Sequence, residues 1–232
     1  MSVYAVSDLH GNYAAYEAIK HHLQPDDVVY CLGDCGDRGP QSWETITAVY
    51  NDPQFIYMKG NHEDMLVNAM KEWLPDHISD YELYLLEHNG GRKTFQAWKN
   101  GPERNKWVTR LERLPVHLTY KNVHGQTIIL THAGYTPPEI PSTDLLIWDR
   151  EHFGDAWEGY DDTVIVHGHT PVSHIMWTGC DASSEDYEVL YYCNGHKIDI
   201  DILTWRTNKV ALLDLDTLEP TYLVVSESTM ED

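Results

Sequence analysis

Residues 3–63 read VYAVSDLHGNYAAYEAIKHHLQPDDVVYCLGDCGDRGPQSWETITAVYNDPQFIYMKGNHE. Val3–Val6, Asp27–Leu32 and Gln54–Met58 are short apolar runs and predict three buried strands. Asn12–Leu23, with Ala15, Ile19 and Leu23 four apart, predicts a helix. Gln41–Tyr50, with Ser42 as candidate cap, predicts a second, and His62–Trp73 a third. Strand–helix alternation of this kind argues for an α/β layout with parallel pairing. Each strand runs into a polar, glycine-containing motif: Ser7-Asp8-Leu9-His10-Gly11, Gly33-Asp34-Cys35-Gly36-Asp37-Arg38-Gly39-Pro40 and Gly60-Asn61-His62-Glu63. Ligands bind beyond the carboxyl ends of the strands in open α/β sheets, so these motifs are expected to converge on one site.

Beyond residue 63 the pattern changes. Residues 75–114 carry no strand pattern and predict a helical excursion, with helices at 80–88, 92–99 and 103–113. The second half is strand-rich, with candidates at 116–122, 126–131, 163–166, 187–193, 197–202, 208–214 and 221–225. Two facing sheets with helices outside them are expected. The polar tail 226–232 is expected to fray.

Composition bounds the function. The 232 residues fit a single domain over 1–232. Net charge is −21, from 16 Lys+Arg against 37 Asp+Glu. Nucleic-acid binding rests on neutralising phosphates with cations, so it is not expected. No basic leader or apolar run of ~20 residues is present, which makes a membrane span unexpected and the cytoplasm the default. Cys31, Cys35, Cys180 and Cys193 lack zinc-knuckle spacing and are read as reduced, structural thiols.

Two histidine motifs follow later strands: Thr131-His132-Ala133-Gly134 and Gly168-His169-Thr170-Pro171. With Asp8, His10, Asp34 and Asn61 they give six candidate metal ligands at strand ends. Carboxylate, imidazole and amide oxygen suit manganese, iron, zinc or magnesium. Taken singly, each has a plainer explanation. Asp8 could cap the first helix, Asn61 the third, and Asp37 with Arg38 could be an ion pair beside a turn. His167 competes with His169, since residues two apart share a face of a straight strand. The other histidines (His21, His22, His77, His88, His117, His124, His152, His174 and His196) are assigned to surface or loops. Trp73, Trp98 and Trp107 are assigned to core packing, and Glu63 to a structural role at a helix start.

The ordered set D-x-H, G-D-x-x-D-R-G, G-N-H-E, H-A-G and G-H-T-P resembles the calcineurin-like metallophosphoesterases. It is most similar to the PPP-type serine/threonine protein phosphatases of the compact bacterial and phage kind. Asn89-Gly90-Gly91 followed by Thr94 looks like a motif of that branch. The resemblance implies a metallophosphoesterase-like four-layer sandwich, α/β, of two facing mixed sheets flanked by helices. It implies two divalent metal ions, manganese first, with iron or zinc as alternatives. Asp8 and His10 would hold one, Asn61, His132 and His169 the other, and Asp34 would bridge them. His62 would be the general acid, oriented by Asp37, and Arg38 and Arg150 would grip the phosphate. Arg150 belongs to Trp148-Asp149-Arg150, which resembles the segment supplying the family's second arginine. The implied activity is hydrolysis of phosphoserine and phosphothreonine in proteins through a metal-bridging hydroxide. A diadenosine tetraphosphatase is the alternative, and no regulatory subunit is expected. Three departures stand out: Ser7 and Leu203 where glycine is usual, and Gly36 where an apolar side chain is common.

Overall fold

The computed structural model describes residues 1–73, 79–154, 157, 162–175 and 187–225. The predicted alternation is present: β1 (Val3–Val6), α1 (Tyr13–His22), β2 (Val28–Cys31), α2 (Ser42–Asn51), β3 (Phe55–Tyr57) and α3 (Asn61–Trp73). Helices α4 (Asp80–His88), α5 (Arg92–Asn100) and α6 (Arg104–Glu112) form the excursion. Then come β4 (His117–Lys121), β5 (Thr127–Thr131), α7 (Thr143–Trp148), β6 (Thr163–His167), β7 (Leu190–Tyr192), β8 (Lys197–Asp199), α8 (Thr204–Thr207), β9 (Lys209–Asp214) and β10 (Pro220–Val224).

Two five-stranded mixed sheets result. The first has the order β10-β9-β1-β2-β3, with β1, β2 and β3 parallel and β9 antiparallel to β1. The second has the order β4-β5-β6-β8-β7, with β5, β6 and β8 parallel. Strand alternation sorts the core into layers. Val3 and Ala5 of β1 face the second sheet and pack with Leu32, Ile128, Val166, Ile198 and Leu213. Val6 of β1 and Val29 of β2 face the other way, against Ile19 of α1, Ile46 of α2 and Leu66 of α3. On the outer face of the second sheet, Ile165 packs with Tyr135, Leu146 and Trp157. These faces make the expected four layers.

The excursion is bound into the first helical layer. Trp98 and Trp107 are buried there, with Trp73 packed against them. Several boundaries differ from expectation for local reasons. Asn12 caps α1 through its side-chain oxygen, which accepts from the Ala15 amide. Gln41, not Ser42, is the α2 cap residue, and the Ser42 hydroxyl donates back to the Gly39 carbonyl. The strand expected over 197–202 stops at Asp199, because the Asp199 and Asp201 carboxylates accept from the Asp201 and Leu203 amides at 3.0 Å each and pull the chain out of the ladder. The strand expected over 187–193 is confined to Leu190–Tyr192. Helices α7 and α8, of 6 and 4 residues, escaped the periodicity reading because they are too short to show one.

His152, assigned to surface or loops, lies in a short turn but is buried, with its ring against Phe153 and His167 under the second sheet. Cys31 and Cys35 are buried free thiols whose sulfurs lie 3.2 Å apart, and Cys193 is half-buried. Cys180, His77 and the tail 226–232 lie outside the described residues. Among the described residues no helix is long and apolar enough to cross a membrane.

Candidate active site

The carboxyl ends of β1, β2, β3, β5 and β6 meet in one place. Backbone bonds lace the first two loops together: His10 N–H donates to the Asp34 carbonyl at 2.9 Å, and Gly11 N–H to that of Cys35 at 2.8 Å. The second sheet reaches across. The His132 ring bonds through Nδ1 to the Leu32 carbonyl at 3.0 Å, and the His169 amide donates to Asp8 Oδ2 at the same distance. The approach is close enough to demand glycine. A Cβ on Gly60 would lie 2.1 Å from Asp34 Oδ1, and one on Gly168 would lie 2.2 Å from Asp8 Oδ2.

Asp8, His10, Asp34, Asn61, His62, His132 and His169 are all buried. Asp34 Oδ2 is the hub. It lies 3.7 Å from Nε2 of His10, 3.7 Å from Nε2 of His62 and 3.4 Å from Nε2 of His132. Two compact groups share it, His10–Asp34–His62 and Asp34–His132–His169, and each could hold a cation. Asn61 Oδ1 sits between the rings of His132 and His169, at 3.0 and 2.9 Å. Asp8 stands beside the first group, its Oδ1 3.7 Å from His10 Nε2.

The donor set fits divalent cations. His10 and His132 each commit Nδ1 to a carbonyl, of Gly36 and Leu32, so each turns Nε2 towards Asp34. Asp8 Oδ1 and His169 Nε2 are buried without a hydrogen-bond partner among the described residues. Buried polar atoms left unpaired are costly, and metal coordination is one way of satisfying them. Burial opposes ionisation of Asp34, yet the imidazoles of His132, His62 and His10 hold its carboxyl well below the usual range. Burial also works against a charged His62, but Asp34 and the bond to Asp37 raise it above the ordinary imidazole value.

His62 and Asp37 form the expected pair, Nδ1 to Oδ2 at 2.7 Å. Arg38 lies alongside: Nη1 is 2.6 Å from His10 Nε2 and Nη2 is 3.1 Å from His62 Nε2. Arg150 is exposed, and Trp148 of the same segment sets its ring 6.2 Å from that of His169. The ten predicted residues lie in or around one centre, Arg150 near enough to feel the charges of Asp34, Arg38 and Asp8. His167 turns away, bonding through Nε2 to the Tyr192 hydroxyl at 2.6 Å, while His169 enters the site.

Sequence reasoning undervalued three features. Glu63 is buried and holds the site together: its carboxylate accepts from the amides of Asp34 (2.8 Å), Cys35 (2.9 Å) and Gly60 (2.9 Å) and from the Tyr57 hydroxyl (2.7 Å). Thr94 of α5 donates to Asp37 Oδ1 at 2.6 Å, and the Arg38 amide donates to the Gly90 carbonyl at 3.2 Å. The excursion thus supports the second motif. Asp199 and Asp201 are buried nearby with carboxyls raised by burial, and in Asp201 also by the charge of Asp8. They lie in Ile198-Asp199-Ile200-Asp201, just before Leu203, the departure noted in the sequence.

Comparison with known proteins agrees with this geometry. The calcineurin-like phosphoesterase family profile matches residues 1–201. A symmetrical bis(5'-nucleosyl)-tetraphosphatase of Delftia acidovorans is 24% identical over 141 residues, 59% of this chain and 46% of the relative. The chain thus spans about half the length of that relative. Serine/threonine-protein phosphatase 2 of Salmonella typhimurium is 24% identical over 166 residues, 68% of this chain and 72% of the relative. The crystal structure of a metallophosphoesterase from Sphaerobacter thermophilus superposes with a TM-score of 0.57 at 19% identity, covering 97% of this chain and 88% of the other, and so shares the fold. With its motifs in order and the family profile matched from residue 1 to residue 201, the chain belongs to the calcineurin-like phosphoesterase family.

Proposed function

We propose that the protein is a metal-dependent phosphomonoester hydrolase acting on phosphoserine and phosphothreonine in proteins, with manganese the favoured metal. The observation that carries the hydrolytic reading is the shared carboxylate of Asp34, placed between two imidazole groups and next to the His62–Asp37 pair. Asp8, His10 and Asp34 would hold one cation, and Asp34, Asn61, His132 and His169 the other. Cations there would oppose the charge of the phosphoryl group and lower the pKa of a water.

The chain's own groups supply the rest. A guanidinium matches two phosphoryl oxygens at once; Arg38 lies beside His10 and His62, and Arg150 feels the charges of Asp34 and Asp8. Arg38 stands beside His62 Nε2, so phosphoryl oxygens held by Arg38 come next to that nitrogen. With Nδ1–H donating to Asp37, His62 holds at Nε2 the proton that an alkoxide leaving group needs.

Glu63 and the Asn89-Gly90-Gly91 segment favour a phosphoprotein substrate. The name of the Delftia relative favours the second reading, a dinucleoside tetraphosphate. Incubation with manganese and either a phosphoserine peptide or diadenosine tetraphosphate separates them. Phosphate release from the peptide is expected. Turnover of the dinucleotide alone would replace the first reading by the second, and turnover of neither would indicate a binding module.

A further inference from the structure

Lys197 begins β8 and is fully buried. It is in register with Ile165 of β6, so its side chain leaves the sheet on the outer face, where Ile165 meets Tyr135, Leu146 and Trp157. Its Nζ lies 5.7 Å from the ring centres of both Trp157 and Tyr192. Such a position ordinarily takes an aliphatic residue, because a desolvated ammonium is costly unless it is well bonded. Here Nζ donates to Thr136 Oγ1 at 2.7 Å and to the His152 carbonyl at 2.9 Å.

Those two acceptors belong to segments that enter the active site. Thr136 follows the His132-Ala133-Gly134 turn. His152 lies in the 3₁₀ turn Glu151–Phe153, directly after Arg150. A third bond, from the Ala133 amide to the Leu146 carbonyl at 2.9 Å, ties α7 to the same loop. The Arg150 guanidinium makes no hydrogen bond or ion pair with another described residue. Beyond the pull of the Asp34, Asp8 and Asp201 charges, its place is set by its backbone stem, and the stem is fixed from below.

We propose that Lys197 is a positioning residue for the phosphate grip: its ammonium clamps the turn bearing Arg150, and the loop after His132, onto the second sheet. The proposal rests on the reading of Arg150 as a phosphate ligand. Loss of the clamp leaves Arg150 present but loosely aimed, and small misplacements of binding groups weaken phosphate binding.

The test uses the full chain loaded with manganese, p-nitrophenyl phosphate as substrate and inorganic phosphate as inhibitor. Lys197→Met is expected to raise KM and the phosphate Ki together by about fivefold, the size of effect that neighbouring positions exert on one another. Metal content should be unchanged and kcat should move much less. In an Arg150→Ala background the same substitution should add almost nothing, because the side chain being aimed is gone. Lys197→Gln keeps two donors, should recover part of the affinity, and serves if the methionine variant does not fold. A fully additive effect in the Arg150→Ala background, or an unchanged Ki in both Lys197 variants, would overturn the proposal. If Arg150→Ala alone leaves Ki unchanged, the grip itself is wrong and the clamp falls with it.

Discussion

At the scale of single residues, the site is made by backbone conformations that side chains ordinarily avoid. Asp8, His10, Asp34, Asp37, Arg38 and His169 all have positive φ, between 42° and 72°. A left-handed residue other than glycine costs roughly 1–2 kcal/mol. Such strain persists only where surrounding contacts over-determine it, and it gathers at functional sites. Leu203, at φ 58°, carries the same cost. Two predictions belong here. His62→Asn should keep its metals but lose about 10²–10⁴-fold in kcat, as for removal of a general acid. Elemental analysis beside steady-state kinetics checks it, and loss of metal would mark His62 as a ligand. The second concerns His132. Burial lowers its affinity for a proton, but Asp34 and Asp8 hold its pKa at about 9, above the ordinary 6.5. A raised folded-state value favours the protonated form, so in chelator-treated protein this stabilisation is complete below pH 6.5 and is lost as pH rises through 9. Metals need the neutral ring, so manganese uptake at pH 7.5 should release protons. Calorimetry in buffers of differing ionisation enthalpy measures the release, and an equal heat in every buffer would contradict it.

At the scale of elements, what the sequence disclosed depended on how local the signal was. The first three strands and helices could be read because each period is complete within its own segment, and each motif sits where a strand ends. His132 and His169 could be read only as motifs. That the ends of β5 and β6 face those of β1–β3 follows from the packing of the two sheets. Glu63 looked like an ordinary first-turn carboxylate, because its acceptors' partners, Asp34 and Cys35, lie on another loop. His152 looked like a surface histidine because nothing local reveals that its turn lies beneath a sheet. Glu63→Ala would leave three buried amides unpaired. At roughly 1–3 kcal/mol for each unsatisfied group, thermal denaturation should show a drop of several kcal/mol or outright unfolding. The excursion is tested separately. Thr94→Val keeps the shape of the side chain but removes the bond to Asp37. It should lower kcat more than it lowers the melting temperature, whereas an effect on melting alone would restrict Thr94 to packing.

At the scale of the whole molecule, the feature to follow is the middle strand of the first sheet. β1 carries Asp8 and His10 at its end, yet its neighbours are β2 on one side and β9 on the other. Val210, Ala211, Leu212 and Leu213 of β9 are buried between the layers. A chain cut after Asp201 keeps every candidate ligand but loses β9 and β10. It is expected to show no cooperative thermal transition by circular dichroism, and a melt like that of the full chain would refute this. The same topology has a consequence in time. Tyr4 pairs with Asp214 and Ala5 with Leu213, so β1 leaves the ribosome some two hundred residues before the strand it pairs with and waits for it. At roughly 5–20 residues per second the wait is on the order of tens of seconds. Throughout it, β1 holds out a row of unpaired amides and carbonyls to any strand that passes. The greatest exposure of this molecule to wrong association therefore comes while it is being synthesised.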